Sequence, residues 1–242
     1  MKRSVFLAEG LMLIVLMLTP FVAVPARAQD FKAILANPAR PANERALDVA
    51  RRPEEMLKFY GVRPGDKVGD LMAGRGYYTA ILSQLVGEKG VVYSAVEKAS
   101  NDLRGRFKNP LYANVKLIEG NMDTVALPAD GSLDFVLINL DYHELEESVR
   151  MAMNKRVFAA LKPGGVYGVV DHTAQDGTGD QLRKSLHRIE KGLVIKEVTQ
   201  AGYVLGKEGD MLRNPDDPRT ESVFKDRGKS DRFVLRFEKP RG

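Results

Sequence analysis

Residues 68–78 read Val-Gly-Asp-Leu-Met-Ala-Gly-Arg-Gly-Tyr-Tyr, an apolar run that breaks into a glycine loop and restarts as an amphipathic segment. The pattern predicts a strand, a loop and a helix start. Gly74 and Gly76 remove side chains where backbone N–H groups and a helix N-terminus face outward, so a nucleotide-like ligand can lie against bare backbone. A strand that runs directly into such a loop belongs in a parallel sheet, and this limits the folds open to the rest of the chain.

The remaining segments agree with that limit. Strands are expected at 67–71, 91–96, 115–119, 133–140 and 165–170, with helices at 77–86, 149–161 and 193–201 between them. Residues 203–212 read as extended, and 231–238 alternate Phe233, Leu235 and Phe237 as a final strand. The expectation is an α/β fold with a doubly wound, mostly parallel, seven-stranded sheet and an antiparallel last strand. Residues 42–60 suggest helical segments broken near Pro53, 29–41 a lead-in arm without periodicity, and 180–190 an amphipathic helix able to close over a ligand. Residues 214–229 are either a lid or a long loop.

Residues 1–28 do not belong to that pattern. Lys2 and Arg3 precede an apolar stretch at 11–24 that ends in Ala26-Arg27-Ala28, the layout of a signal peptide cleaved before Gln29. The stretch falls short of the roughly 20 residues a membrane span needs. The expected product is one exported, periplasmic domain over 29–242, with an arm and helices at 29–63 and a sheet core at 64–242. Lys2, Arg3 and Arg27 against Glu9 account for two of the five net positive charges, which leaves too little charge to indicate nucleic acid. With no cysteine, disulfides and thiolate metal sites are excluded.

Glu97 follows the second expected strand, 21 residues past Gly76, where an acid can accept hydrogen bonds from a ribose diol. With Glu97 in place, the chain resembles the class I S-adenosylmethionine-dependent methyltransferases, and among them an exported bacterial group of predicted methyltransferases. The resemblance spans roughly 58–238 and rests on Asp70-Leu71-Met72-Ala73-Gly74-Arg75-Gly76 and Glu97. It also uses Leu133-Asp134-Phe135-Val136, Leu161-Lys162-Pro163-Gly164-Gly165 and Ala201-Gly202-Tyr203. It implies S-adenosylmethionine as cofactor, with Asp70, Gly74, Arg75 and Gly76 on its methionine part. Glu97 would take the ribose hydroxyls, and Asn121, Met122 and Asp123 the adenine edge. Met72 stands where that family usually has glycine, so the backbone there is expected to avoid a left-handed conformation or to tilt the loop. A dinucleotide site would want a small residue where Thr79 stands. Without a ligand, the glycines would be ordinary turn residues.

His143 and His172 follow the fourth and fifth expected strands, the ligand crevice of an open α/β sheet. In methyltransferases resembling this chain the segment after the fourth strand faces the transferring methyl group. His143, with Asp141 beside it, is therefore the candidate base for a small-molecule acceptor, or else a histidine that fixes the loop. Asp141 and Asp171-His172 also offer oxygen and imidazole ligands to a divalent cation, but their spacing is not diagnostic and no metal is assigned. His187-Arg188 reads as a surface pair, and Tyr77 and Tyr78 either flank the cofactor or belong to the core. The alternative in a different class is an exported, non-catalytic module that binds an adenosyl ligand.

Overall fold

The computed structural model describes residues 30–225 and 228–241, so the expected leader at 1–28 lies outside the described residues. The described chain opens with four short helices: α1 (Phe31–Ala36), α2 (Ala42–Arg45), α3 (Asp48–Arg51) and α4 (Pro53–Tyr60). Alternation then begins with β1 (Lys67–Leu71), α5 (Tyr77–Val86), β2 (Val91–Val96), α6 (Asn101–Arg106) and β3 (Val115–Glu119). It continues through β4 (Leu133–Asn139), α7 (Glu147–Ala160), β5 (Leu161–His172) and α8 (Lys191–Gln200), and β6 (Val204–Gly209) and β7 (Arg232–Glu238) complete the sheet.

The strand order is β3-β2-β1-β4-β5-β7-β6. Only β7 among the described strands runs against its neighbours, pairing antiparallel with both β5 and β6. The doubly wound sheet expected from the sequence is the one observed. Its two faces are sorted by strand period. Phe135 and Leu137 of β4 pack with Met56, Tyr60 and Ile81 on one side. Val136 and Ile138 pack with Val157 and Val198 on the other. Both faces are covered, which explains why β4 reads as an almost unbroken apolar run.

Two expectations are corrected. The arm at 29–41 contains α1, whose first turn is capped by Asp30 Oδ1 accepting from Ala33 N (3.0 Å) and whose Phe31 is buried. Six residues are too few to show a helical period. Residues 180–190 do not form the amphipathic helix. Gln181 N and Arg183 N bond three residues back, to Thr178 O and Asp180 O, and Gly177 and Gly179 have positive φ, so the segment is a run of turns.

One buried polar network fixes the loop after β4. Arg150 of α7 is buried and donates from Nε and Nη2 to both oxygens of Glu197 on α8 (2.8 and 2.7 Å) and from Nη1 to Leu145 O (2.7 Å). Tyr142 Oη donates to Glu197 Oε2 (2.8 Å) and accepts from Asn154 Nδ2 (2.9 Å). Two helices thus hold the residue before His143. Removing one member of a buried ion pair strands the other charge, at a cost of about 3–5 kcal/mol. Glu197→Ala is therefore expected to lower the urea-unfolding free energy by about that amount, and Glu197→Gln by clearly less.

Candidate active site

The C-terminal ends of β1, β4 and β5 and the start of β7 surround a cavity of 590 Å³. Asn43, Glu44, Leu47 and Arg51 of the N-terminal helices and their connections roof it on one side. Val223, Phe224 and Gly228 bound the other, so the 214–229 segment contributes to its wall. The roof is stitched to the glycine loop. Arg106 donates from Nη1 to Glu44 Oε1 (2.6 Å) and Arg75 O (2.7 Å), and from Nη2 to Glu44 Oε2 (2.9 Å). Tyr77 Oη donates to Asp48 Oδ1 (2.6 Å), and Arg51 stacks 4.4 Å from the Tyr77 ring centroid.

At the loop, Met72 has φ +49°, so it does adopt the left-handed conformation that the sequence reading expected it to avoid. A non-glycine residue held there costs on the order of 1–2 kcal/mol, and such strain collects where surrounding structure over-determines it. Ala73 N bonds Ala95 O (3.0 Å) and Gly76 N bonds Ala73 O (2.8 Å), and these tie down the turn. A Cβ at Gly74 (φ +57°) would meet only Met72 O, at 3.9 Å. Gly76 is required by packing: a Cβ there would lie 2.5 Å from Phe107 Cζ. Asp70 is buried, and burial pushes its carboxyl up to about 6 while the Thr79 hydroxyl, donating at 2.6 Å, resists the rise. Thr79, the residue that argued against a dinucleotide, here serves Asp70.

The histidines converge. The chain has three, and His143, His172 and His187 all line this cavity. His143 is 3 % exposed, and both its backbone N and its Nδ1 meet Asp171 of β5, at 2.7 Å to Oδ2 and 2.7 Å to Oδ1. With Nδ1–H on that carboxylate, Nε2 points toward Glu144 Oε1 (3.1 Å), which also meets His187 Nδ1 (2.7 Å). Burial lowers the His143 pKa, but the Asp171 carboxylate more than offsets it and the net direction is upward. Burial, largely uncompensated, drives His172 down to about 3, with its Nδ1 on Ser230 Oγ (2.7 Å). Burial and then Asp171 push Asp141 up to about 7.

The cavity gathers Asp70, Gly74, Arg75, Asp141, His143 and His172 from the sequence-derived set. Gly76, Glu97, Asn121, Met122 and Asp123 do not line it. Glu97 is exposed after β2, and Met122 packs beside Leu71 and Ala95 after β3, so both lie beyond the loop on the far side of β1. His187-Arg188 is not a surface pair: Arg188 is buried, with Nη1 on Asp217 Oδ2 (2.8 Å) and Thr173 O (3.0 Å). The donor atoms of His143, Glu144 and His187 lie within 4.8 Å of one another, so this trio could converge on a cation. The sequence set Asp141, Asp171 and His172 is not brought together in that way, because Asp171 is committed to His143. Sequence reasoning missed Glu144 and Arg232 and did not pair Asp171 with His143. The two elements ending side by side, β4 and β5, were the available signal for that pair.

Comparisons with known proteins follow the same division. Residues 68–165 match the family model described as a methyltransferase domain. A demethylmenaquinone methyltransferase of Staphylococcus aureus is 34 % identical over 115 residues, covering 47 % of this chain and 46 % of the relative. The chain thus matches about half the length of the curated relatives. A SAM dependent methyltransferase from Aquifex aeolicus superposes with a TM-score of 0.60 at 23 % identity, over 82 % of this chain and 98 % of that one. The 1,6-didemethyltoxoflavin-N1-methyltransferase of Burkholderia thailandensis, solved with bound S-adenosylhomocysteine, gives 0.59 at 17 % identity over 82 % and 80 %. The family match covers residues 68–165, and the fold is shared with these solved methyltransferases over most of the chain.

With three histidines the site can be read by NMR. His143 is expected to titrate above the ordinary 6.5 and His172 to stay neutral from pH 8 to pH 5. Asp171→Asn should bring the His143 midpoint down, because the charge that raises it is gone. By linkage, the raised His143 stabilises the fold below pH 6.5, and that contribution is lost as pH rises through its folded midpoint. The depressed His172 destabilises it as pH falls from 6.5 toward 3. A His143 midpoint unchanged by Asp171→Asn would contradict this assignment.

Proposed function

We propose that the chain is an S-adenosylmethionine-dependent methyltransferase acting on a small-molecule oxygen, nitrogen or carbon acceptor. The observation that carries the reading is the buried His143–Asp171 pair opening into the cavity that the glycine loop also lines. The methyltransferase-domain match and the S-adenosylhomocysteine bound in the structurally similar Burkholderia enzyme support the cofactor.

The residues present fit that cofactor. Its methionine end is a zwitterion, and the cavity offers bare backbone at Gly74, carboxyls at Asp70 and Asp141, and the Arg51 guanidinium over Tyr77. Arg51 would hold the carboxylate and the two aspartates the ammonium. Arg75 and Gly76 would continue the loop toward Glu97 for the ribose, with Asn121 and Asp123 at the adenine edge and the core-buried Met122 contributing only backbone there.

S-adenosylmethionine supplies a methyl group on a positively charged sulfur, and its transfer leaves S-adenosylhomocysteine. His143 would accept at Nε2 the proton that the acceptor loses as it attacks. Asp171, holding Nδ1–H, orients the ring and stabilises the imidazolium that forms. Glu144 must release Nε2 for this, and its half-exposed carboxylate has His187 as its other partner. His172, kept neutral by burial, offers a polar wall without charge.

We also place the mature protein outside the cytoplasm, in the periplasm, on the leader pattern of residues 1–28. Mass spectrometry of the secreted product is expected to find Gln29 at its N-terminus, and a chain starting at residue 1 would overturn this placement. Calorimetric titration of the mature protein with S-adenosylhomocysteine is expected to show binding that Arg51→Gln and Glu97→Ala each weaken by about tenfold or more. His143→Ala should leave that affinity unchanged and cut methyl transfer by about 10²–10⁴ in an acceptor screen. No binding of either cofactor form would sink the reading.

A further inference from the structure

Five buried arginines are described in this chain: Arg40, Arg150, Arg183, Arg188 and Arg232. Four have a carboxylate. Arg40 pairs with Asp48, Arg150 with Glu197, Arg183 with Glu146 and Arg188 with Asp217. Arg232 is 6 % exposed and has neither a side-chain hydrogen bond nor an ion pair among the described residues, and its Nε is a buried donor with nothing to donate to.

Several carboxylates of the neighbouring chain and the cavity wall have partners of their own. Asp231, its neighbour in the chain, takes Arg213 (2.8 Å) and Arg219 (3.0 Å). Asp171 takes His143, Glu44 takes Arg106, and Asp70 takes the Thr79 hydroxyl. Burial lowers the proton affinity of Arg232; Tyr78 and the Asp231 carboxylate work against that fall and the like charge of Arg51 adds to it, with a net direction downward. An arginine cannot shed its proton to escape, as a lysine could. Leaving such a charge buried without a hydrogen-bonded partner costs several kcal/mol.

Arg232 lines the cavity. Arg232 stands opposite His172 in the β5–β7 ladder, and the His172 ring centre is 6.0 Å from that of His143. From the glycine loop it is separated by three strand steps, β1 to β4 to β5 to β7, or about 14 Å between strand axes. Its strand neighbour is thus His172, while its charge is also felt at Tyr78, after the glycine loop. A planar guanidinium whose donors meet no partner among the described residues matches a two-oxygen anion.

We propose that Arg232 anchors an oxyanion of the methyl acceptor, a carboxylate or phosphate, so that the acceptor is an acidic small molecule. The proposal rests on the methyltransferase reading for the word acceptor, but the anion site itself does not. It puts the acid group of the acceptor at the start of β7 and its nucleophilic atom toward His143 Nε2. The buried cation that destabilises the free protein becomes the source of acceptor selectivity.

The test uses the mature chain, saturated with S-adenosylhomocysteine, and three probes: 4-hydroxybenzoate, its neutral counterpart 4-hydroxybenzamide, and inorganic phosphate. Calorimetry is expected to show an anion, benzoate or phosphate, binding at least about tenfold tighter than the amide, with Arg232→Gln reducing the difference to about twofold or less. S-adenosylhomocysteine affinity in that variant should stay within about twofold of the parent. Arg232→Gln should melt at or above the parent temperature without ligand, because an unpaired buried charge has been removed.

Three results would each overturn the proposal. One is that neither anion is preferred by the parent. Another is that Arg232→Gln weakens S-adenosylhomocysteine by tenfold or more, which would give the guanidinium to the cofactor. The third is a melt lowered by more than about 5 °C, which would show that the fold itself pairs it. If the parent binds no S-adenosylhomocysteine, the methyltransferase reading fails, and the same anion titrations on the free protein still decide the role of Arg232.

Discussion

Much of this site depends on one carboxylate. Asp171 is fully buried near the end of β5 and accepts three hydrogen bonds, from His143 N, His143 Nδ1 and His172 N, each at 2.7 Å. Its burial is thus matched by hydrogen bonds on both oxygens. From there its charge is felt outward: it raises His143, helps to raise Asp141, and works against the fall of His172. Three neighbouring groups therefore take different protonation behaviour from a single anion and from differences in burial.

That arrangement needs a rigid frame, and the opposite face of the sheet from α5 provides it. Arg150, Glu197, Tyr142 and Asn154 form a closed set of hydrogen bonds between α7, α8 and the residue preceding His143. The set lies next to an apolar cluster of Met153, Val157 and Val198. Ionic partners in such surroundings are costly to bury and costly to separate, so they select one position for the loop more than they add net stability. The strain at Met72 has a similar logic on the other side of the cavity, where backbone bonds to β2 leave the left-handed turn no alternative.

The sheet was legible because its information is local and periodic. Val91 to Val96 and Leu133 to Asn139 could not be other than buried strands, and the glycine loop marked the first crossover. The short α1, by contrast, is made by one cap and one buried ring, Asp30 and Phe31, and neither forms a pattern. The histidine cluster was half visible. His143 and His172 stood at strand ends, whereas His187 arrives from a turn with φ +55° that sequence read as helix. Arg232 could not be seen at all in advance. What distinguishes it is that its guanidinium has no hydrogen-bond partner among the described residues, a property of the assembled structure, and in the sequence it is one basic residue at the head of an alternating strand.

The roof of the cavity is built differently from its floor. α2 and α3 have four residues each, far below the length at which a helix persists alone, so they exist only while docked. Their anchors are few and polar: Glu44 on Arg106, Arg40 on Asp48, Tyr77 on Asp48. The sheet below is bound by long-range ladders and two apolar layers. Amide exchange in the roof is thus governed by small, local openings, and in the floor by unfolding of the whole domain. Ligand entry and roof fraying then draw on the same fluctuation.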